Sequence, residues 1–192
     1  MVQMSQPLIL LSMCWGFLNC TGSVDQHENA SSNTTFFDLK AYFKSEAARL
    51  NALQPMGTKI IDFELESDSI RLDTAGAVDF NEELKAFISS DINRVAWASK
   101  YVVDPLTRNG DLVELVYKAT EDELKTRKIT IYFEKEAIRE IHIHNTLKSL
   151  IASSNQVLVY NPARGYEVKG QQHIRFGKSY AFKAAVVFDH KR

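Results

Sequence analysis

Glu140-Ile-His142-Ile-His144 is the segment whose residue types come closest to chemistry, because alternation along a strand points a carboxylate and two imidazoles to one side. Such a trio can ligate zinc or another divalent metal if a complete donor set forms. The neighbours Ile141 and Ile143 offer a plainer account, the polar and solvated face of a half-buried strand, and this is the expected one. His173 and His190 are not placed beside that face by their spacing. Asp62, Glu64 and Glu66 are expected to share a strand face as a charged surface rather than as an acid/base pair. No Gly-x-Ser-x-Gly elbow accompanies the serines and histidines. Gly177-Lys178 lacks the upstream glycine of a phosphate loop. The expectation is therefore no catalytic residue, no cofactor and no metal, with Glu140, His142 and His144 the weak metal candidates.

The cysteines are more informative. Both, Cys14 and Cys20, lie within the first twenty residues, so the rest of the chain has no thiol for disulfide, metal or nucleophilic work. Pro7 to Leu18 is an apolar run, shorter than the roughly 20 residues that span a bilayer as a helix, and it fits the apolar core of an export signal. Phe17-Leu18-Asn19-Cys20, followed by Thr21-Gly22-Ser23, resembles a bacterial lipoprotein signal. That resemblance implies cleavage after residue 19 and diacylglycerol on the Cys20 sulfur. Residues 20–35 follow as a polar stretch with almost nothing to bury, expected to act as a flexible tether.

The remaining residues, 36–192, read as a single α+β domain. Phe36, Leu39, Phe43, Ala47, Leu50 and Leu53 recur at helical spacing, predicting a helix from about Phe36 to Leu53 capped by Thr35 and stopped by Pro55 and Gly57. Lys59 to Leu65 predicts a strand, paired with Ser69 to Leu72. A second helix is expected to start at the Asp79 cap and run to about Ser90 or Ile92. Strand formers dominate beyond residue 100, in segments joined by short turns such as the one at Asn109-Gly110. The faces of Ile129, Ile131 and Phe133 and of Ile141 and Ile143 match across a hairpin only with an odd number of loop residues, which Glu134-Lys135-Glu136 would supply. Tyr166 to Lys169 and His173 to Phe176 read as two short strands. The expected architecture is a curved antiparallel meander in the C-terminal half, packed against two N-terminal helices.

With 23 Lys plus Arg against 24 Asp plus Glu, the surface is not built to neutralise many phosphates, and nucleic acid is not an expected partner. Cys20, the polar stretch, Phe37-Asp-Leu-Lys-Ala-Tyr-Phe43 with Glu46-Ala-Ala-Arg-Leu50, and the strand-rich half resemble uncharacterised lipoproteins of Bacteroidetes-type bacteria. The resemblance implies a cell-envelope location, anchored by lipid to a membrane, the outer one foremost. It brings no known catalytic residues. The leading expectation is a non-enzymatic binding or assembly module for an envelope protein, glycan or peptide. The alternatives are a half-barrel carrier of a lipid-like ligand and a metal-dependent hydrolase using His142 and His144.

Overall fold

The computed structural model describes residues 35–73 and 78–189. The export signal, Cys20, nearly all of the tether, the loop at 74–77 and His190 lie outside the described residues. Helix α1 spans Leu39–Leu53 and is followed by the hairpin β1 (Gly57–Phe63) and β2 (Glu66–Leu72). Two short helical turns come next, α2 (Phe80–Glu83) and α3 (Lys85–Ile88), then a single 3-10 turn at Val95–Trp97. The rest is strand: β3 (Tyr101–Asn109), β4 (Leu112–Ala119), β5 (Thr126–Glu134), β6 (Ala137–Lys148), β7 (Ala152–Asn161), β8 (Gly165–Ile174) and β9 (Tyr180–Phe188).

The nine strands of the described residues form one sheet in the order β2-β1-β9-β8-β7-β6-β5-β4-β3, antiparallel throughout. The fold is α+β, an antiparallel meander with the helices on one face, as the strand and helix periodicities predict. The meander is β3 to β9 in sequence order, and the early β1–β2 hairpin returns to pair with β9.

Register puts Val186, Tyr166, Tyr160, Ile141 and Ile131 in one row across five strands of the helix-facing side. All are buried. The helices lay Phe43, Leu50, Phe80, Leu84 and Phe87 against that side with essentially no exposure. Phe43 stands edge-on to Tyr160 at 5.1 Å, and Phe87 packs on Phe43 at 4.9 Å between ring centroids. The space between helices and sheet is thus filled with side chains.

Four local details differ from the sequence expectation, each for a definable reason. Helix α1 is capped by Asp38, which accepts from Ala41 N at 2.8 Å, and not by Thr35. Phe36 is drawn instead against the rings of Tyr101 and Tyr117 before the helix begins. The second helix keeps its Asp79 cap but breaks at Leu84 into two turns. The β5–β6 hairpin closes with only Lys135 and Glu136, both at positive φ, and a bulge at Arg139 restores the parity that brings Ile131 opposite Ile141. Finally, β8 runs unbroken through Gly170, where the missing side chain makes room for the Phe182 ring; a Cβ there would lie 2.3 Å from it.

Two polar clamps tie the helices to the sheet. Glu46 on α1 accepts from Arg49 at 2.8 Å and from the Tyr160 hydroxyl. Glu83 on α2 accepts from Tyr166 Oη at 2.7 Å and from Lys59 Nζ at 2.5 Å. Burial pushes the Glu46 carboxyl up, yet the hydrogen bonds from Arg49 and Tyr160 and the Arg49 charge hold it below the ordinary value of 4.5. Burial and hydrogen bonds to Glu46 and Glu83 push the Tyr160 and Tyr166 hydroxyls above their ordinary value of 10.0. The signs follow from linkage. The Glu46 contribution is present above pH 4.5 and lost as pH falls through its depressed folded value. The tyrosine contribution is full below pH 10.0 and declines as pH rises toward the raised folded values. Urea midpoints measured from pH 7 downward are expected to fall below pH 4.5 more steeply for wild type than for Glu46→Gln; superimposable profiles would contradict the clamp.

Candidate functional site

The side of the sheet turned away from the helices carries a groove over β7, β8, β9 and β1. Alternation sends Asn155 and Val157 to this side of β7 while Leu158 and Tyr160 enter the core. Register then aligns Val157 with Lys169, Lys169 with Lys183, and Lys183 with Asp62, one row crossing four strands. The next row is Asn155, Gln171 and Ala181. The β1–β2 turn closes against it, with Glu64 N donating to Ala181 O at 3.1 Å.

Charges of both signs run along the first row. Lys169 pairs with Glu167 at 2.7 Å, and Lys183 reaches Glu167 at 3.4 Å and Asp62 at 3.9 Å. Asp62 also accepts from Ser67 Oγ at 2.5 Å. The groove has a volume of about 390 Å³ here and continues into a second lobe of about 570 Å³. The lobes share Glu64, Asn155, Gln171 and Ala181. In the second lobe His173 Nδ1 and Ser179 Oγ are 2.7 Å apart. Both volumes lie in the range of ligand sites, roughly 300–1,000 Å³.

This surface offers side-chain amides, hydroxyls and both charge signs over a narrow apolar floor of Val157 and Ala181. Such a lining suits a polar, hydrogen-bonding ligand laid across the strands. Carboxamides supply donor and acceptor together, so one Asn or Gln can meet a hydroxyl or an amide in either sense.

The strand trio expected to be the weak metal candidate lies on the same side of the sheet, further along. His142 Nε2 contacts the Glu140 carboxylate, and the Tyr132 ring stands edge-on to the imidazole at 5.3 Å. Asn161 Nδ2 adds a donor to Glu140 at 3.4 Å. Although burial pushes the Glu140 carboxyl up, the hydrogen bonds from His142 and Asn161 hold it below the usual carboxylate value. His144, one row on, is exposed and stands between Lys128 and Val157. Among the described residues no group of three or more His, Cys, Asp and Glu is placed to hold a metal ion. His173 belongs to the groove and not to this trio.

The expected acidic face of Asp62, Glu64 and Glu66 does not form. The chain reverses at Glu64-Leu65, with Glu64 at φ +54°, so Phe63 pairs with Glu66 and only Asp62 faces the ion-pair row. The groove residues Lys169, Lys183, Asn155 and Gln171 were not marked by the sequence. Alternation does assign each to the polar side of its strand, but the neighbour order that unites them depends on β1 pairing with β9. Comparison with protein-family models, curated proteins and solved structures finds no match to this chain.

Proposed function

We propose that this chain is an envelope lipoprotein that acts as a non-enzymatic binding module, with the groove over β7, β8, β9 and β1 as its ligand site. The ligand class that fits is an envelope glycan, with or without attached peptide. The observation that carries this reading is the groove itself: amides from neighbouring strands, flanked by Lys169, Lys183 and Asp62, over a floor of small apolar side chains. A sugar chain presents hydroxyls and acetamido groups at short intervals, and the Asn155 and Gln171 side chains repeat across strands about 4.8 Å apart. The lipid on Cys20 and the polar stretch after it would hold the module at the membrane, the outer one foremost, within reach of that polymer.

A carrier of lipid-like molecules needs an apolar hollow. The filled contact of Phe43, Phe80 and Phe87 with the sheet gives that alternative no support. For the hydrolase alternative, Glu140 and His142 are in contact and His144 stands one row on. Mass spectrometry of the mature N-terminus tests the anchor, with an unmodified Cys20 as the adverse result. Titration of the chain with a soluble disaccharide–peptide fragment of bacterial cell wall tests the groove. Wild type is expected to bind saturably, and Asn155→Ala with Gln171→Ala is expected to weaken binding tenfold or more, about 1.4 kcal/mol.

A further inference from the structure

The hairpin tips at the two ends of the sheet differ in chemistry. At one end the turns are Gly110-Asp111, Lys135-Glu136 and the residues 162–164, Pro-Ala-Arg, all compatible with water. At the other end the β1–β2 tip presents Leu65, fully exposed. The β6–β7 tip presents Leu150 at 88% exposure with Ile151 beside it, and the β8–β9 tip presents Phe176 at 87%. Single exposed apolar residues are ordinary. Three of the four turns at this end carry a large apolar side chain at the apex, and none of the three named turns opposite does; the fourth, at residues 120–125, is acidic and pairs Glu121 with Lys100 and Asp122 with Arg127.

The three tips adjoin. Arg175 N donates to Ile151 O at 2.9 Å, linking the β6–β7 and β8–β9 turns. Leu65 borders the same groove lobe as Ser179 of the β8–β9 turn. Cations sit within or beside these turns, Lys148, Arg175 and Lys178, against the acids Glu64 and Glu66 of the β1–β2 tip. Arg175 lies 5.5 Å from the Phe176 ring centre. The Leu150 and Phe176 apices, flanked by Lys148, Arg175 and Lys178, match the layering of a bilayer surface, where acyl chains lie beneath anionic headgroups.

We propose that this end of the sheet seats on a lipid bilayer carrying anionic headgroups, with Leu65, Leu150 and Phe176 entering the interface. The place where the chain joins the domain agrees with this. Phe36 packs on Tyr101, the first residue of β3, and on Tyr117 near the end of β4, which by strand direction belong to the same end as the three tips. On the proposed anchor at Cys20, the 16 residues from Cys20 to Thr35 would span about 50 Å when extended, enough to let the tips touch that membrane. Seating there leaves the groove directed along the membrane surface and fixes its height, so this inference adds orientation to the binding reading without depending on the ligand.

The test is hydrogen exchange on the whole chain carrying Cys20→Ser, with and without vesicles of phosphatidylethanolamine and phosphatidylglycerol. Slowed exchange at residues 64–66, 149–151 and 175–178, with no change at 110–111, 135–136 and 162–164, is the expected result. The triple variant Leu65→Ser, Leu150→Ser, Phe176→Ser should unfold at the wild-type temperature, since these side chains lie outside the core, and lose that protection. Unchanged exchange at the tips on vesicles overturns the proposal. So does protection that appears with rising protein concentration in the absence of lipid, which would mark a contact between copies. Groove variants leave this result untouched, so its failure is separable from failure of the glycan reading.

Discussion

Gly165→Ala is expected to destabilise the domain by about 3 kcal/mol, more than the same change at Gly110, the other described turn glycine at positive φ. Gly165 opens β8 at φ +118°, a backbone conformation that side chains rarely adopt. A Cβ built there would lie 1.9 Å from Val186 O, a backbone atom held in the ladder to β9. Neither strand can retreat without giving up pairs such as Tyr166 with Val186, so the strain cannot relax cheaply. Gly110 supplies the control. Its φ is +63°, but nothing lies within 4 Å of its Cβ position, so Gly110→Ala should cost only about 1–2 kcal/mol. Urea unfolding of both variants measures the difference. Equal losses would mean that the close approach of β8 and β9 at Gly165 is not as described.

Phe43→Ala should cost about 3–5 kcal/mol, the range for an aromatic ring removed from a tightly packed site. Phe43 has no exposure, and its ring touches those of Tyr42, Phe87 and Tyr160. The Tyr160 ring also carries the hydroxyl that Glu46 accepts, so a cavity at Phe43 loosens the clamp as well as the packing. Phe43→Leu keeps most of the volume and should lose less than half as much. A change below about 1 kcal/mol for Phe43→Ala would fit a solvent-facing ring and contradict the filled interior.

Much of the domain was legible because it is local. Leu39, Phe43, Ala47 and Leu50 announce α1 by spacing alone, and the alternation of Ile129, Ile131, Ile141 and Ile143 announces two strands and their shared face. Even the hairpin parity was right in its consequence, since Ile131 does face Ile141. The device was not readable: a bulge at Arg139 depends on how two positive-φ residues close the turn. Nothing around Gly170 announces that β8 runs through it, since a glycine in a strand usually weakens it. Its purpose appears only when Phe182, a neighbour on another strand, lies over it.

The groove was illegible for a further reason. Asp62 and Lys183 become partners because β1 pairs with β9, a contact between the beginning and the end of the domain. Nothing within either segment specifies that neighbour. The tyrosine clamps share this origin: Tyr160 and Tyr166 read as strand aromatics, and only the position of α1 and α2 over the sheet shows which carboxylate each hydroxyl meets. The Glu140, His142, His144 trio was visible from alternation, but a shared side is not a ligand set, and His144 stands a row away from the Glu140 to His142 contact.

The most direct test of the binding reading is an amide NMR titration of the chain with a soluble disaccharide–peptide fragment of bacterial cell wall. Saturable shifts are expected, concentrated at Asn155, Val157, Lys169, Gln171, Ala181 and Lys183, with affinity reduced at least tenfold when Asn155 and Gln171 are both alanine. Shifts that never saturate, or saturable binding that maps elsewhere and survives the double substitution, would contradict the binding reading.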